Sequence, residues 1–378
     1  MKRILIFSVA YYPAVGGAEI AVKEITDRIA PGDIEFHMLT INLSGRELPF
    51  EKIGNVQVHR IGRGGFGKYL FPFLGAWKAR SLHKQFHFDA TWSIMASFSG
   101  FAALFFKMLY PNVPFILTLQ EGDPFEFIKK RVGLLYPLYA KIFRAADIIQ
   151  TISVYLAEMA RARGARAPIH VIPNGVDTTL FAQQYSEFEL DALKQQLGKK
   201  DGDIFLVTSS RLVVKNAVDT VIQALPLLPE HVHFIVAGVG PLESECKKLA
   251  RSLHVQARVH FLGFVPHADL PKYLKISDIF IRPSRSEGMG NSFIEAMAAE
   301  IPVIATPVGG IPEFLFDRKT GLLCEVDNPA SVASAVTTLI EDAVLRDTII
   351  EQAAKSIVGR YDWNHIVANM RQKVFGVV

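Results

Sequence analysis

The sequence predicts an α/β fold with two doubly wound parallel-sheet domains, and three observations support this prediction. The chain has 378 residues, more than a single hydrophobic core usually serves. Half of the residues are hydrophobic and 21% are charged, which is the balance of a folded soluble protein. Short apolar runs rich in β-branched residues alternate with longer helical patterns throughout, as in βαβ units. We therefore expect two domains that face each other across a cleft.

The strands are expected at the short apolar runs. In the first domain they are predicted at RILIFS, IEFHMLT, VQVHRI, DATWS, PFILTL, IIQTIS and IHVI. In the second domain they are predicted at IFLVTS, HFIVAG, RVHFLG, IFIRPS and VIAT. The N-terminal MKRILIFSVAYYP starts like a signal peptide, but Tyr-Tyr-Pro interrupts it and no small-residue cleavage site follows. We interpret it as the first strand.

The domain boundaries follow from composition. Residues 181–202 are polar and lack a strand pattern, so we expect a linker there, between domains at 1–180 and 203–356. The final segment, residues 357–378, has a helical pattern and contains Trp363, so we expect it to pack back on the first domain.

Two absences bear on location. No apolar stretch reaches the roughly 18 residues that a membrane span needs. Cys246 and Cys324 are too few for a disulfide framework or a zinc site. We expect a cytoplasmic protein that does not cross a membrane.

Positive charge is concentrated in the first domain. Residues 1–170 contain 21 Lys or Arg and 13 Asp or Glu, a net charge of +8, and the rest of the chain carries −4. No acidic residue occurs from Lys52 to Phe88, a segment we call the basic aromatic stretch. Its cations and aromatic residues are Lys52, Arg60, Arg63, Lys68, Lys78, Arg80 and Lys84, with Phe66, Tyr69, Phe71, Phe73 and Trp77.

This stretch suits an anionic membrane face, on which the protein would sit from the cytoplasmic side. Alternatively, the aromatic residues belong to the core and the cations are simply solvated. A nucleic-acid groove could use the same residues, but no recognised RNA- or DNA-binding motif accompanies them, so no nucleic-acid partner is expected.

Two cations follow a strand of the second domain. Arg211 and Lys215 lie four residues apart, just beyond the strand IFLVTS. If both face the cleft they can grip a diphosphate through charge-assisted hydrogen bonds. The alternative is that Lys215 is a solvated residue at a helix start, where a cation is mildly unfavourable.

Glycines mark other strand ends, where close backbone approach and bare amides suit a phosphate or a sugar. They are Gly16, Gly17, Gly238, Gly240, Gly309 and Gly310. None completes the Gly-x-Gly-x-x-Gly dinucleotide fingerprint, because Glu243 takes the third place in GVGPLE. A nicotinamide or flavin dehydrogenase is therefore not expected.

The segment SRSEGMGNSFIEAMAAEI places Glu287 and Glu295 on either side of a glycine-rich turn. Ser292 and Glu295 have the spacing of a capping box, which would satisfy amides at a helix start. That interpretation leaves Glu287 unexplained. Two carboxylates that flank a nest of amides can instead accept hydrogen bonds from two diols, a ribose and a sugar, with a diphosphate between them.

The ordered motifs SRLVVKN, AGVGPLE, FLGFVP and SRSEGMGNSFIEAMAAEIPVIATPVGGIPE resemble the donor domain of retaining glycosyltransferases of the GT-B fold, family 4, whose mark is Glu-x7-Glu. VIPNGVD and the N-terminal GGAE resemble that family too. The resemblance covers essentially the whole chain. It implies two Rossmann-like domains and transfer of a sugar from a nucleotide-diphosphate sugar, with the nucleotide base left open between UDP, GDP and ADP.

The resemblance also implies roles for individual residues. Arg211 and Lys215 would hold the diphosphate, which makes a metal unnecessary, and Glu295 would bind the ribose. Glu287 would hold the donor sugar together with backbone amides of Gly288, Met289, Gly290 and Asn291. The backbone near Phe264 would contact the base, and the loop at Gly16 and Gly17 would approach the phosphate.

One position departs from the family pattern. The family usually has histidine after the PFILTL-type strand, whereas Gln120 stands there, with Asp123 retained. Both residues are expected on the acceptor side. Glutamine can bind a sugar hydroxyl but cannot shuttle a proton near neutral pH, which puts any scheme that needs this histidine in doubt.

Other functions stay open at this point. Asp201 and Asp203 could form an Asp-x-Asp metal site, but they precede their strand and polar turns often contain such pairs. A GT-B epimerase or phosphorylase would use the same cleft, and an inactive membrane-associated scaffold would be expected to lose Arg211, Lys215 or Glu287. The acceptor we expect is a lipid-linked or growing cell-surface glycan.

Overall fold

The chain folds into two compact units. The computed structural model describes residues 1–64, 66–123 and 125–378, so Gly65 of the basic aromatic stretch and Pro124 of TLQEGDP lie outside the described residues. The first unit is Met1–Gly175 with Trp363–Val378, and the second is Val176–Asp362. Each has its own sheet, in which most strand pairs are parallel, and its own core. The predicted α/β class with two doubly wound sheets is confirmed.

The first unit alternates strands with helices. Its strands are β1 Lys2–Phe7, β2 Ile34–Ile41, β3 Phe50–Ile53, β4 Val56–Ile61, β5 Ala90–Ile94, β6 Phe115–Leu119, β7 Ile148–Thr151 and β8 Ile169–Val171. Its helices are α1 Gly17–Asp27, α2 Gly67–Phe86, α3 Phe98–Leu109, α4 Phe125–Val132, α5 Tyr136–Ala145 and α6 Val154–Ala162. Over the described residues, the strand order is β3-β4-β2-β1-β5-β6-β7-β8.

The central strands of this sheet are buried along their length. Every residue of β5 and β6 is buried, because helices cover both faces of a parallel sheet. The edge strand β3 is different, since it pairs antiparallel with β4 and none of its residues is fully buried. Its sequence, FEKI, lacks the continuous apolar run of a buried strand, and it was not predicted.

The second unit repeats this arrangement. Its strands are β9 Ile204–Ser209, β10 Val232–Ala237, β11 Val259–Gly263, β12 Ile279–Arg282, β13 Val303–Ala305 and β14 Leu322–Leu323. Its helices are α7 Thr178–Phe181, α8 Glu187–Leu197, α9 Val218–Ala224, α10 Glu243–Ser252, α11 Leu270–Lys275, α12 Asn291–Ala298, α13 Pro329–Glu341 and α14 Ala343–Arg360. The described strands are ordered β11-β10-β9-β12-β13-β14, all parallel. The two-residue β14 was not predicted.

The segment expected as a linker, residues 181–202, is largely helical. It contains the end of α7 and all of α8, which begins with a capping box between Ser186 and Glu189 and ends at the left-handed Gly198. None of the residues of α8 is buried, so its polar sequence resembles a linker although it forms a helix. The division between the units instead falls after Gly175.

The C-terminal segment is also divided differently from the expectation. Residues up to Arg360 complete α14 in the second unit, and the chain joins the first unit at Trp363. There α15, Trp363–Met370, is followed by a π-helical turn, Arg371–Phe375. Phe375 packs edge-on against Trp92, with ring centroids 5.1 Å apart, so this end of the chain is part of the first core.

No helix in the described part of the chain combines the length and the apolarity that crossing a membrane requires.

Candidate active site

Two loops of the second unit carry the two predicted cations and one of the two predicted glutamates. The first, residues 210–217, follows β9 and holds Arg211 and Lys215; we call it the cation loop. The second, residues 283–290, follows β12 and holds Glu287; we call it the glutamate loop. Because β9 and β12 are parallel neighbours, both loops leave the same edge of the sheet.

Arg285 ties the two loops together. Its backbone N–H donates to the carbonyl of Lys215 at 2.7 Å, and its guanidinium donates to the carbonyl of Val214 at 2.5 Å. The same guanidinium forms ion pairs with Asp219 at 2.7 Å and Asp327 at 2.6 Å. These bonds hold the backbone of Lys215 beside the glutamate loop.

The two predicted cations have different environments within the cation loop. Arg211 is exposed and Lys215 is partly exposed. The loop between them is fixed by the Asn216 amide, which donates to the Arg211 carbonyl at 2.7 Å. Helix α9 begins only at Val218, so Lys215 precedes the helix and lies in a short 3₁₀ turn.

Glu287 does not stand alone in its loop. Its Oε2 accepts from Nη2 of Arg282 at 2.7 Å, and its Oε1 accepts the N–H of Gly288 at 3.0 Å. Arg282 is the last residue of β12 and was not singled out from the sequence. Burial lowers the pKa of its guanidinium, and the nearby carboxylates of Glu287 and Glu295 oppose that shift.

The capping-box interpretation of Ser292 and Glu295 is wrong. Helix α12 begins after Gly290, which lies in the left-handed region at φ 93° and makes no side-chain cap. The Ser292 hydroxyl accepts instead from Nη1 of Arg282 at 2.7 Å. Glu295, 9% exposed, hydrogen-bonds with Nε2 of His267 at 3.0 Å, a partner that sequence reasoning also missed.

The other predicted donor residues of the second unit are Met289, Asn291 and Phe264. Met289 is 2% exposed, so its backbone rather than its side chain is available to a ligand. Asn291 opens α12, and Phe264 is exposed just beyond β11.

Several glycines at this edge make room for neighbouring backbone. A Cβ on Gly238 would lie 1.9 Å from the Ser210 carbonyl oxygen, and one on Gly240 would lie 2.3 Å from that of Leu212. A Cβ on Gly309 would lie 1.7 Å from the Glu287 carbonyl oxygen. These three glycines therefore serve the packing of adjacent loops against each other.

The predicted residues of the first unit also follow strands. Gly16 caps α1 and Gly17 opens it. Gln120, just after β6, accepts from the amide of the buried Asn174 at 3.2 Å, and Asp123 forms an ion pair with Arg131 at 3.2 Å.

The basic aromatic stretch is only partly on the surface. Arg60 is buried, forms an ion pair with Glu51 and donates to the carbonyls of Leu48 and Tyr12, so it does not belong to a surface patch. Phe71 is also buried. The exposed apolar residues instead recur on one face of α2 and its N-terminal flank, at Phe66, Tyr69, Leu70, Phe73, Leu74 and Trp77.

No metal site emerges from the described residues, among which no group of three His, Cys, Asp or Glu side chains is arranged to hold an ion. The carboxylate of Asp203 accepts the N–H of Lys200 at 2.8 Å in the turn before β9. This is a contact within the turn that precedes the strand.

Comparison with known proteins decides the family. The model for glycosyl transferases group 1 matches residues 190–356, and the model for glycosyltransferase family 4 matches residues 15–180. An uncharacterized glycosyltransferase of Methanocaldococcus jannaschii is 30% identical over 93% of this chain and 92% of its own. The chain belongs to the group 1, family 4 glycosyltransferases.

Two further similarities describe the range of this glycosyltransferase group. A GDP-mannose-dependent α-(1-6)-phosphatidylinositol monomannoside mannosyltransferase of Mycobacterium tuberculosis is 31% identical over 61% of this chain and 62% of its own. The crystal structure of Anabaena HepE in complex with UDP and glucose superposes with a TM-score of 0.83 at 22% identity, over all of both chains. The glycosyltransferase described here thus has the GT-B fold, as the sequence resemblance implied.

Proposed function

We propose that this glycosyltransferase moves a hexose from a nucleotide-diphosphate sugar to a hydroxyl acceptor, with retention of the anomeric configuration and without a metal ion. The observation that carries the proposal is the joining of the cation loop to the glutamate loop through Arg285. The cations proposed to bind the diphosphate and the Glu287 carboxylate proposed to bind the sugar thus lie on two loops that are joined at the same edge of the sheet. The names of the relatives, one GDP-mannose-dependent and one complexed with UDP, support a nucleotide donor.

Arg211 and Lys215 hold the donor diphosphate in this proposal. As the bond between the sugar and the phosphate breaks, negative charge grows on the departing diphosphate. These two cations stabilise that charge more in the transition state than in the ground state, and they take the place that a divalent cation would otherwise fill.

The two glutamates bind the two ends of the donor. Glu295 accepts from the ribose hydroxyls, and Glu287 accepts from hydroxyls of the donor sugar beside the amides of Gly288 to Asn291. Backbone near Phe264 contacts the base. The helix start at Gly16 and Gly17 presents backbone amides to a phosphate.

Retention follows from a front-face reaction. The anomeric carbon loses its bond to the phosphate oxygen and gains a bond to the acceptor oxygen on the same face, while the acceptor proton passes to the departing phosphate. No side-chain base is required, which suits Gln120 at a position where a histidine is usual. Gln120 and Asp123 bind acceptor hydroxyls.

The acceptor is a lipid-linked or growing glycan at the cytoplasmic face of an anionic membrane. The exposed apolar face of α2, which includes Trp77 at 70% exposure, lies on the same helix as Lys68, Lys78, Arg80 and Lys84. Apolar side chains with flanking cations fit an anionic lipid surface. The mycobacterial relative, named for a phosphatidylinositol mannoside acceptor, supports this choice.

A donor panel tests the proposal. The purified protein is incubated with UDP-, GDP- and ADP-hexoses and with polyprenyl-linked or glycolipid acceptors, in the presence of EDTA, and the product is examined by NMR. We expect an α-glycoside from an α-linked donor. A β-glycoside would contradict retention, and activity that EDTA abolishes and Mg²⁺ restores would contradict metal independence.

A further inference from the structure

A buried arginine lies behind the two glutamates of the candidate donor site. Arg282 ends β12, a strand that is otherwise apolar, and its side chain is 7% exposed. An arginine is rarely buried unless it is paired, because removing its charge from water is costly. The groups that Arg282 contacts therefore indicate its role.

The guanidinium of Arg282 bonds two separate elements. Nη2 donates to Oε2 of Glu287 in the glutamate loop, and Nη1 donates to Oγ of Ser292 in the first turn of α12, each at 2.7 Å. Its plane also lies over the ring of Phe293, with Cζ 4.2 Å from the ring centroid. The planar guanidinium of Arg282 thus links strand β12, the glutamate loop and helix α12, the three elements that border the candidate site.

The loop is shaped to admit this guanidinium. A Cβ on Gly290 would lie 2.8 Å from Nη2 of Arg282 and 2.4 Å from the Phe293 ring. Gly290 also has φ 93°, which favours glycine. The pairing of Arg282 with Glu287 fixes one carboxylate oxygen, and the Gly288 N–H holds the other at 3.0 Å.

We propose that Arg282 is a positioning residue for donor-sugar recognition. It holds the Glu287 carboxylate in one orientation, so that the remaining lone pairs of this carboxylate meet the hydroxyls of the sugar. It does not touch the diphosphate or the ribose. This inference rests on the proposed role of Glu287 in binding the donor sugar.

Kinetics and nucleotide binding separate this role from a structural one. Arg282→Met removes the cation, and Arg282→Lys keeps a charge but lacks the planar fork that bonds two partners. We expect kcat/KM for the nucleotide sugar to fall on the order of 100-fold in Arg282→Met and less in Arg282→Lys, as expected when a positioned group is misplaced. The Kd of UDP or GDP, measured by calorimetry, stays close to the wild-type value. Arg346→Met, in α14, is the matched control.

A double mutant decides whether Arg282 acts through Glu287. In a Glu287→Gln background, Arg282→Met should add little further loss, because the two residues work as one unit. Additive losses, or equal losses of UDP or GDP affinity and of sugar transfer, would overturn the inference.

These experiments distinguish a failure of the proposed Glu287 role from a failure of the proposed Arg282 role. Wild-type kcat/KM in Glu287→Gln alone would refute the proposed role of Glu287 before Arg282 is considered. If Arg282→Met does not fold, Arg282→Lys carries the same test. Unchanged transfer kinetics in a folded Arg282→Lys variant would then count against the inference.

Discussion

Glu295 illustrates how the structure changes the interpretation of a single residue. Its carboxylate hydrogen-bonds with His267 and does not cap α12. In the variant Glu295→Gln, we expect the affinity for UDP or GDP to fall by about 10- to 100-fold, since a hydrogen bond to a charged group contributes roughly 1.5 to 3 kcal/mol. Calorimetry with the nucleotide alone measures this effect without any sugar.

The control for this experiment is Glu300→Gln, because Glu300 is exposed just beyond α12. It should bind nucleotide like the wild type. A Glu295→Gln variant that melts at a lower temperature but keeps wild-type nucleotide affinity would show a purely structural role.

Glu121 is a second residue with an unusual environment. It is buried, its Oε1 accepts the N–H of Ala96, and its Oε2 has no hydrogen-bond partner among the described residues. Burial raises its pKa to about 7. Because the folded pKa lies above the unfolded one, the stability that this carboxyl contributes is present at low pH and is lost as the pH rises toward 7.

Glu121→Gln should therefore gain stability relative to the wild type as the pH rises. We expect the difference in melting temperature, variant minus wild type, to grow between pH 5 and pH 8, because glutamine never has to ionise in the core. Glu158→Gln, exposed on α6, is the control. A difference that stays constant with pH would contradict the raised pKa.

At the scale of elements, the sequence predicted strands far better than it predicted polar contacts. Each predicted strand appears within a residue or two, because a parallel strand buried on both faces has a distinctive apolar sequence. The strands β3 and β14 were missed since each is short and lies at a sheet edge. The polar sequence of helix α8 predicts a linker, since a helix with no buried residue lacks the apolar stripe that marks a packed helix.

The candidate site was predictable only in part, for a related reason. Residues that follow strand ends could be named, but their partners depend on how distant loops meet. Arg282 ends the apolar strand IFIR, and nothing in the sequence of this strand indicates that the arginine pairs with Glu287 and Ser292. His267, 28 residues before Glu295, was missed in the same way.

Helix α2 carries the prediction about membranes. Its apolar face and its cations should bring the protein to vesicles that contain anionic lipid, and binding should weaken as salt rises because the attraction is screened. Replacing Lys68, Lys78, Arg80 and Lys84 by glutamine should release it, as measured by sedimentation with the vesicles.

The matched control removes the same charge from the second unit, at Lys248, Arg251, Arg318 and Lys319, all of them exposed. It should sediment like the wild type. Equal release in both variants would indicate a dependence on net charge alone, and no preference for anionic vesicles at low salt would favour a soluble acceptor.

At the scale of the whole molecule, each unit contains a pair of histidines in contact. Nδ1 of His37 lies 3.1 Å from Nε2 of His59 in the first unit, and Nδ1 of His233 lies 3.2 Å from Nε2 of His260 in the second. Burial lowers the pKa of all four imidazoles, and that of His59 falls to about 4.

These pairs should make the protein sensitive to acid. Folded pKa values below the unfolded value mean that the unfolded chain binds more protons, so stability falls as the pH drops from about 6.5 toward 4. His59→Gln should flatten this dependence relative to the wild type in thermal melts across that range. A parallel decline in both proteins would contradict the assignment to this pair.

The central claim is that Arg211 and Lys215 bind the diphosphate of the donor, and turnover of Lys215→Ala and Arg211→Ala tests it most directly. With the donor that the wild type uses best, we expect each variant to lose about 10²- to 10³-fold in kcat, as when one group that stabilises developing charge is removed. Melting temperatures should stay near that of the wild type, and Lys248→Ala, exposed on α10, should keep full turnover. Near-normal turnover in either folded variant would contradict the account.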